Sequence, residues 1–194
     1  MKRKIKFLAF IIGAFLTVIL STLPLSAQTT LTVQSKLAID GIGPVRVGMT
    51  IAEAERSARM RFVSNGRLDN CYHIRPQRGP QGLNFMVISP HKEGPINRDV
   101  DRIVRVDVFR GSRITTVRGA KIGDTEQRIK SLYPGQIRVT PHEYTFAQGG
   151  HYLTFISKDE RDRNYRLVFE TLNNRVTIFR SGRLPEVEYV EGCA

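Results

Sequence analysis

The chain has 194 residues, 41% hydrophobic and 25% charged, with 30 Lys and Arg against 18 Asp and Glu, two Cys and no Trp. That length can bury a sizeable core in one compact domain or two tightly packed halves, and the lack of biased stretches beyond the N-terminal segment excludes a low-complexity chain. A net charge of +12 selects for anionic partners.

The chain opens on a basic stretch, Lys2, Arg3, Lys4 and Lys6, followed by the almost wholly apolar residues 7–20 and then Pro24, Ser26 and Ala27. This three-part layout predicts a secretory signal peptide over residues 1–27, cut after Ala27. The alternative is an uncleaved anchor, because the uncharged stretch 7–25 is just long enough to span a bilayer. The Pro and the small residues favour cleavage. No Cys follows the apolar run, so no lipid anchor is predicted. Removing 27 of the 194 residues leaves 167 and takes four basic and no acidic side chains, lowering the charge from +12 to +8. No transmembrane span is expected after cleavage. Export argues against nucleic acid as a partner and leaves an acidic protein or an anionic envelope component, such as lipid headgroups or polyanionic glycans.

Residues 28–40 are predicted as a loose N-terminal segment. Two units follow, at 41–118 and 119–194, because one phrase occurs twice: Val47-Gly48-Met49-Thr50-Ile51-Ala52-Glu53 and Ile122-Gly123-Asp124-Thr125-Glu126-Gln127-Arg128. Thr50 is a helix N-cap, and Glu53 three residues on completes a capping box. Ile51, Ala54 and Ala58 share the apolar face of the helix so started. Thr125 caps the second helix, Glu126 stands in its first turn, and Pro134-Gly135 ends it. The period then changes from helical to two. Strands are expected at 71–74, 83–89 and 102–109 in the first unit. In the second they are expected at 136–140, 144–146, 151–156, 165–170 and 175–180, with turns at 148–150, 159–164 and 173–174. Over 102–109, Val104, Val106 and Val108 alternate with Arg105 and Asp107, which predicts one covered and one solvated sheet face. The fold class is therefore α+β: two related units, each a short helical element followed by an antiparallel meander, with helices on one sheet face. Cys71 and Cys193 are an even count in an exported chain and predict a disulfide tying the tail back to the first unit; two free thiols are the alternative.

The duplicated phrase resembles the repeat opening of the BamE/SmpA-OmlA-like and β-lactamase-inhibitor-protein-like folds, an aliphatic residue followed by Gly-Met-Thr-x-x-Glu. Val47 to Glu53 matches closely and Ile122 to Thr125 more loosely. Residues 43–50, 140–144, 150–153 and 189–194 resemble a group of small exported bacterial proteins. The resemblance implies a binding, inhibitory or envelope-assembly role rather than catalysis, and no contact residue transfers with the phrase.

No Gly-x-Ser-x-Gly elbow, His-Glu-x-x-His or phosphate loop occurs. No metal and no cofactor is expected. His142, Glu143 and His151 are the nearest approach to a metal or acid–base cluster. A two- or four-residue turn would leave His142 about four positions from the partner of His151, roughly 13 Å at about 3.3 Å per residue, beyond shared coordination. Other turn lengths put the two on opposite faces. Glu186, Glu188 and Glu191 read as the solvated side of a tail strand, with a glycosidase-like carboxylate set as the alternative. The binding candidates are Arg105, Arg110 and Arg113 from the basic stretch, and His142, Tyr144, His151 and Tyr152 from the second unit. A non-enzymatic binding module is the function expected. A small hydrolase with a dispersed site, or a carbohydrate-binding protein using Tyr144, Tyr152 and Tyr165, is the alternative.

Overall fold

A computed structural model describes residues 30–67 and 69–193; the predicted leader over 1–27 lies outside the described residues. Among the described residues, twelve strands and two α-helices follow in chain order. Strands β1 (Lys36–Ala38), β2 (Gly41–Ile42) and β3 (Val45–Arg46) precede helix α1 (Ile51–Ala58). Next come β4 (Phe62–Ser64), β5 (Cys71–Pro76), β6 (Leu83–Ile88), β7 (Arg102–Val108) and β8 (Thr115–Thr116). Helix α2 (Glu126–Leu132) leads into β9 (Ile137–Pro141), β10 (His151–Phe155), β11 (Tyr165–Leu172) and β12 (Arg175–Arg183). The fold is mixed α+β, mostly sheet. A small sheet runs β3-β2-β1-β8, and an eight-stranded antiparallel sheet runs β4-β5-β6-β7-β12-β11-β10-β9.

Both helices start as the local chemistry requires. The Thr50 hydroxyl accepts from the Glu53 N–H at 3.2 Å, and the Glu53 carboxylate accepts from the Thr50 N–H at 2.8 Å. Thr125 accepts from the Arg128 N–H at 3.1 Å. Glu126 stands too early to close a box on Thr125, and its carboxylate instead meets His151 and Thr171. The phrase also makes a contact that its sequence does not reveal. The Gly48 N–H donates to the Ile103 carbonyl at 2.7 Å, and the Ile103 N–H donates to the Met49 carbonyl at 2.9 Å. In the second copy, Gly123 donates to Val176 at 2.9 Å and Val176 to Asp124 at 2.9 Å. Arg102 and Arg175 each donate to the phrase glycine's carbonyl, at 2.7 and 3.1 Å. Each phrase is thus laid against the start of a long strand, the first against β7 and the second against β12. Both glycines hold φ near +90° (95° and 86°), where an L side chain is strained.

Ile51, Ala54 and Ala58 of α1 and Ile129 of α2 join one continuous core with Phe62, Phe85, Phe169 and Phe179 of the large sheet. Phe62 and Phe85 stack at 5.0 Å between centroids. The N-terminal segment is tied in further than its polarity predicts: Leu31 and Leu37 are buried, and β1 pairs with β8 in parallel. In β7 the strict alternation breaks. Met86 faces Arg105 while Val87 faces Ile103, so Val104 is an extra residue, and Ile103, Val106 and Val108 belong to the core. At the seam between β7 and β12, a Cβ on Gly182 would lie 2.5 Å from the Val104 carbonyl oxygen, so only Gly lets the strands meet here.

Candidate functional site

Alternation puts Arg105 and Asp107 of β7, Arg180 of β12, Val168 and Glu170 of β11, and Tyr152 and Thr154 of β10 on the sheet face opposite the helices' core. This is the face expected to be solvated. Instead Arg105, Asp107 and Arg180 are buried. The reason is the tail. After β12 the chain turns at Pro185, makes a short 3-10 turn at Glu186–Glu188, and crosses back over the sheet. Val187 is fully buried beneath it. Arg105 donates to the Glu186 and Tyr189 carbonyls at 3.1 and 2.9 Å, and Arg180 Nε donates to the Val187 carbonyl at 2.7 Å. The crossing ends at the Cys71–Cys193 disulfide, with Cα atoms 5.2 Å apart.

Four carboxylates on this face are held by cations. Asp107 pairs with Arg105 at 2.9 Å, and Glu170 pairs with Arg180. Glu186 pairs with Arg183 at 3.1 Å, and Glu188 pairs with Arg138 at 3.5 Å. Burial pulls the Arg105 guanidinium below its ordinary pKa, against the pull of Asp107. The glutamates expected along a solvated tail strand are therefore divided: Glu186 is buried, Glu188 and Glu191 are exposed, and the segment is a 3-10 turn.

The predicted site residues separate. Pro141 pairs with His151, and residues 142–150 form a long turn containing the 3-10 segment Phe146–Gln148, so the strand expected at 144–146 is absent. His142 stacks on Tyr152, 4.4 Å between centroids and 19° between planes, with Nε2 3.5 Å from Glu170. His151 follows the opposite alternation and bonds Glu126 at 2.8 Å. Burial works to raise the Glu126 pKa, but the hydrogen bonds from His151 and Thr171 outweigh it and hold that carboxyl below its usual value. The two histidines thus serve different faces. Among the described residues no three His, Cys, Asp or Glu side chains are placed to share a metal ion. Arg105 is committed internally, whereas Arg110 and Arg113 are exposed, Arg110 beside His142 and Thr145 at the rim of the long turn.

Two recesses border the tail. A groove of about 540 Å³ above the disulfide is lined by Glu143, Tyr144, Tyr189, Val190 and Glu191. Tyr144, Phe146, Tyr189 and Val190 are 59, 63, 41 and 39% exposed, unusually large apolar groups to leave in solvent. The second recess, about 160 Å³, lies between the tail and strands β9, β10 and β11. Arg138, Thr140, Tyr152 and Thr154 line it on the sheet side, over a Val168 floor. Glu188 and Val190 form its tail side. Sequence reasoning named Tyr152 but not Arg138, Thr140 or Thr154. The only signal for Arg138 and Thr140 is an i, i+2 polar row along β9, which without the tail reads as ordinary exposed strand, and Thr154 stands two residues from Tyr152 along β10. Comparison with protein-family models, curated proteins and solved structures finds no match for this chain.

Proposed function

We propose that this chain is an exported, non-enzymatic binding module, inhibitor-like or associated with the cell envelope, whose partner is an acidic protein or an anionic envelope component. The observation that carries the binding role is the groove over the disulfide, where Tyr144, Tyr189 and Val190 stand in solvent while charged groups beneath are internally paired; the choice of an anionic partner rests on the excess of Lys and Arg over Asp and Glu. Partly exposed aromatic side chains anchored on a rigid base are the usual contributors of binding energy at protein interfaces. The disulfide is compatible with an oxidising, exported location. The same reading treats the chain as two related units with helices on one sheet face. It is supported by the matching hydrogen bonds of the two phrases and by a strand order that mirrors about the β7–β12 seam. The resemblance to the tandem-repeat binding folds points the same way. The test is capture from an envelope extract, at low and high salt, with the tagged protein and with Tyr144→Ala/Tyr189→Ala. The expected result is a partner retained by the parent protein, weakened by salt and lost with the double variant. Recovery of nothing at either salt concentration would count decisively against the proposal.

A further inference from the structure

One of the hydroxyls in the recess between the tail and strands β9 to β11 is buried and unpaired: that of Tyr152 makes no hydrogen bond. Thr140, which is exposed, and Thr154 on the neighbouring strand line the same recess. A buried polar group without a partner costs stability, and one at the wall of a recess marks a place where an outside molecule can supply the missing partner. The Arg138 guanidinium can only donate and the Tyr152 hydroxyl can donate as well, which favours a molecule that carries acceptors. Arg138 is the one cation at the mouth that is free to turn inward: it is 56% exposed, and its only partner is Glu188 at 3.5 Å. Arg180 is already neutralised by Glu170 beneath. Val168 and Val190 provide apolar contact on the floor and the tail side. The volume, about 160 Å³, corresponds to roughly five waters, enough for an acceptor head on a short stem.

We infer that this recess binds a small organic anion, an oxyanion head on a short apolar stem, with Arg138, Thr140, Tyr152 and Thr154 on the head and Glu188 as the internal competitor it displaces from Arg138. The site shares Val190 with the aromatic groove but has its own polar lining, and it does not depend on the protein-binding proposal. The experiment is an amide-resonance titration of the oxidised, full-length protein with butyrate and with butyl phosphate, and with butanol as the neutral control. The expected result is saturable shifts on β9 and β10 with at least one anion and none with butanol, the two anions telling carboxylate from phosphate preference. Arg138→Gln should weaken binding about tenfold or more, the loss of one charge-assisted contact. Tyr152→Phe should weaken it several-fold without lowering the unfolding midpoint, because it removes an unpaired buried hydroxyl rather than a structural bond. Glu188→Gln should tighten it. No saturable shift with either anion, equal binding of butanol, or parent-like affinity in Arg138→Gln and Tyr152→Phe would overturn the inference.

Discussion

His73 lies on β5 beneath the tail: a Cβ on Gly192 would come 3.4 Å from its ring, and Arg105 and Asp107 lie across the same face. Burial pushes its imidazole below the ordinary value of 6.5; Asp107 opposes this and Arg105 adds to it. The ring is therefore neutral in the folded protein where the unfolded chain has begun to take up a proton. Below pH 6.5, and down to the depressed folded value, the unfolded state binds more protons and stability falls as pH falls. A urea series from pH 7 to 5 should show the midpoint declining, with a shallower decline in His73→Asn. Identical slopes in the two proteins would refute this account. The residue scale also shows what one sequence conceals. Arg105 and Asp107 stand two apart on a strand, so their pairing is legible. Their burial is not, because the carbonyls that cover Arg105 come from residues 81 and 84 positions away.

The helix starts are the elements most fully written in the sequence, since an N-cap bond spans three residues and needs no distant partner. The two copies differ in a measurable way. Thr50 belongs to a reciprocal box, whereas Thr125 caps alone because Glu126 is drawn to His151 and Thr171. Thr50→Ala should cost about 1–2 kcal/mol and Thr125→Ala about 0.5–1 kcal/mol. Urea unfolding of both variants gives the order, and a larger loss at Thr125 would show that the box adds nothing. Strands were legible where alternation was strict. The turn at 142–150 was misread because Tyr144 and Phe146 have the composition of a strand, yet the chain makes a 3-10 turn that leaves both rings in solvent. In β7 the extra residue, Val104, shifted the inward positions, and a bulge depends on the partner strand, which periodicity does not register.

At the scale of the whole molecule, the tail is the feature that the rest of the charged face depends on. It is fastened at one end by β12 and at the other by a disulfide joining residues 122 apart. Loop-closure entropy for a loop of this length puts the stabilisation at about 4–5 kcal/mol, an upper value. Cys193→Ser, or reduction of the parent protein, should lower the unfolding free energy by up to that amount and make Tyr189 and Val190 accessible to proteolysis. A loss below about 1 kcal/mol would mean that the Arg105 and Arg180 contacts hold the tail without it. The sequence alone determined several features: that any bridge must join Cys71 to Cys193, since there are only two cysteines, both helix starts, and the α+β class, since each depends on composition or on neighbours within a turn. The tertiary structure alone decided which face of the large sheet meets solvent, the assignment of Arg102 and Arg175 to backbone carbonyls, and the gathering of Arg138, Thr140, Tyr152 and Thr154 around one recess. Those outcomes depend on strand register and on a tail returning across the sheet, and such long-range closures leave no local period in the chain to read.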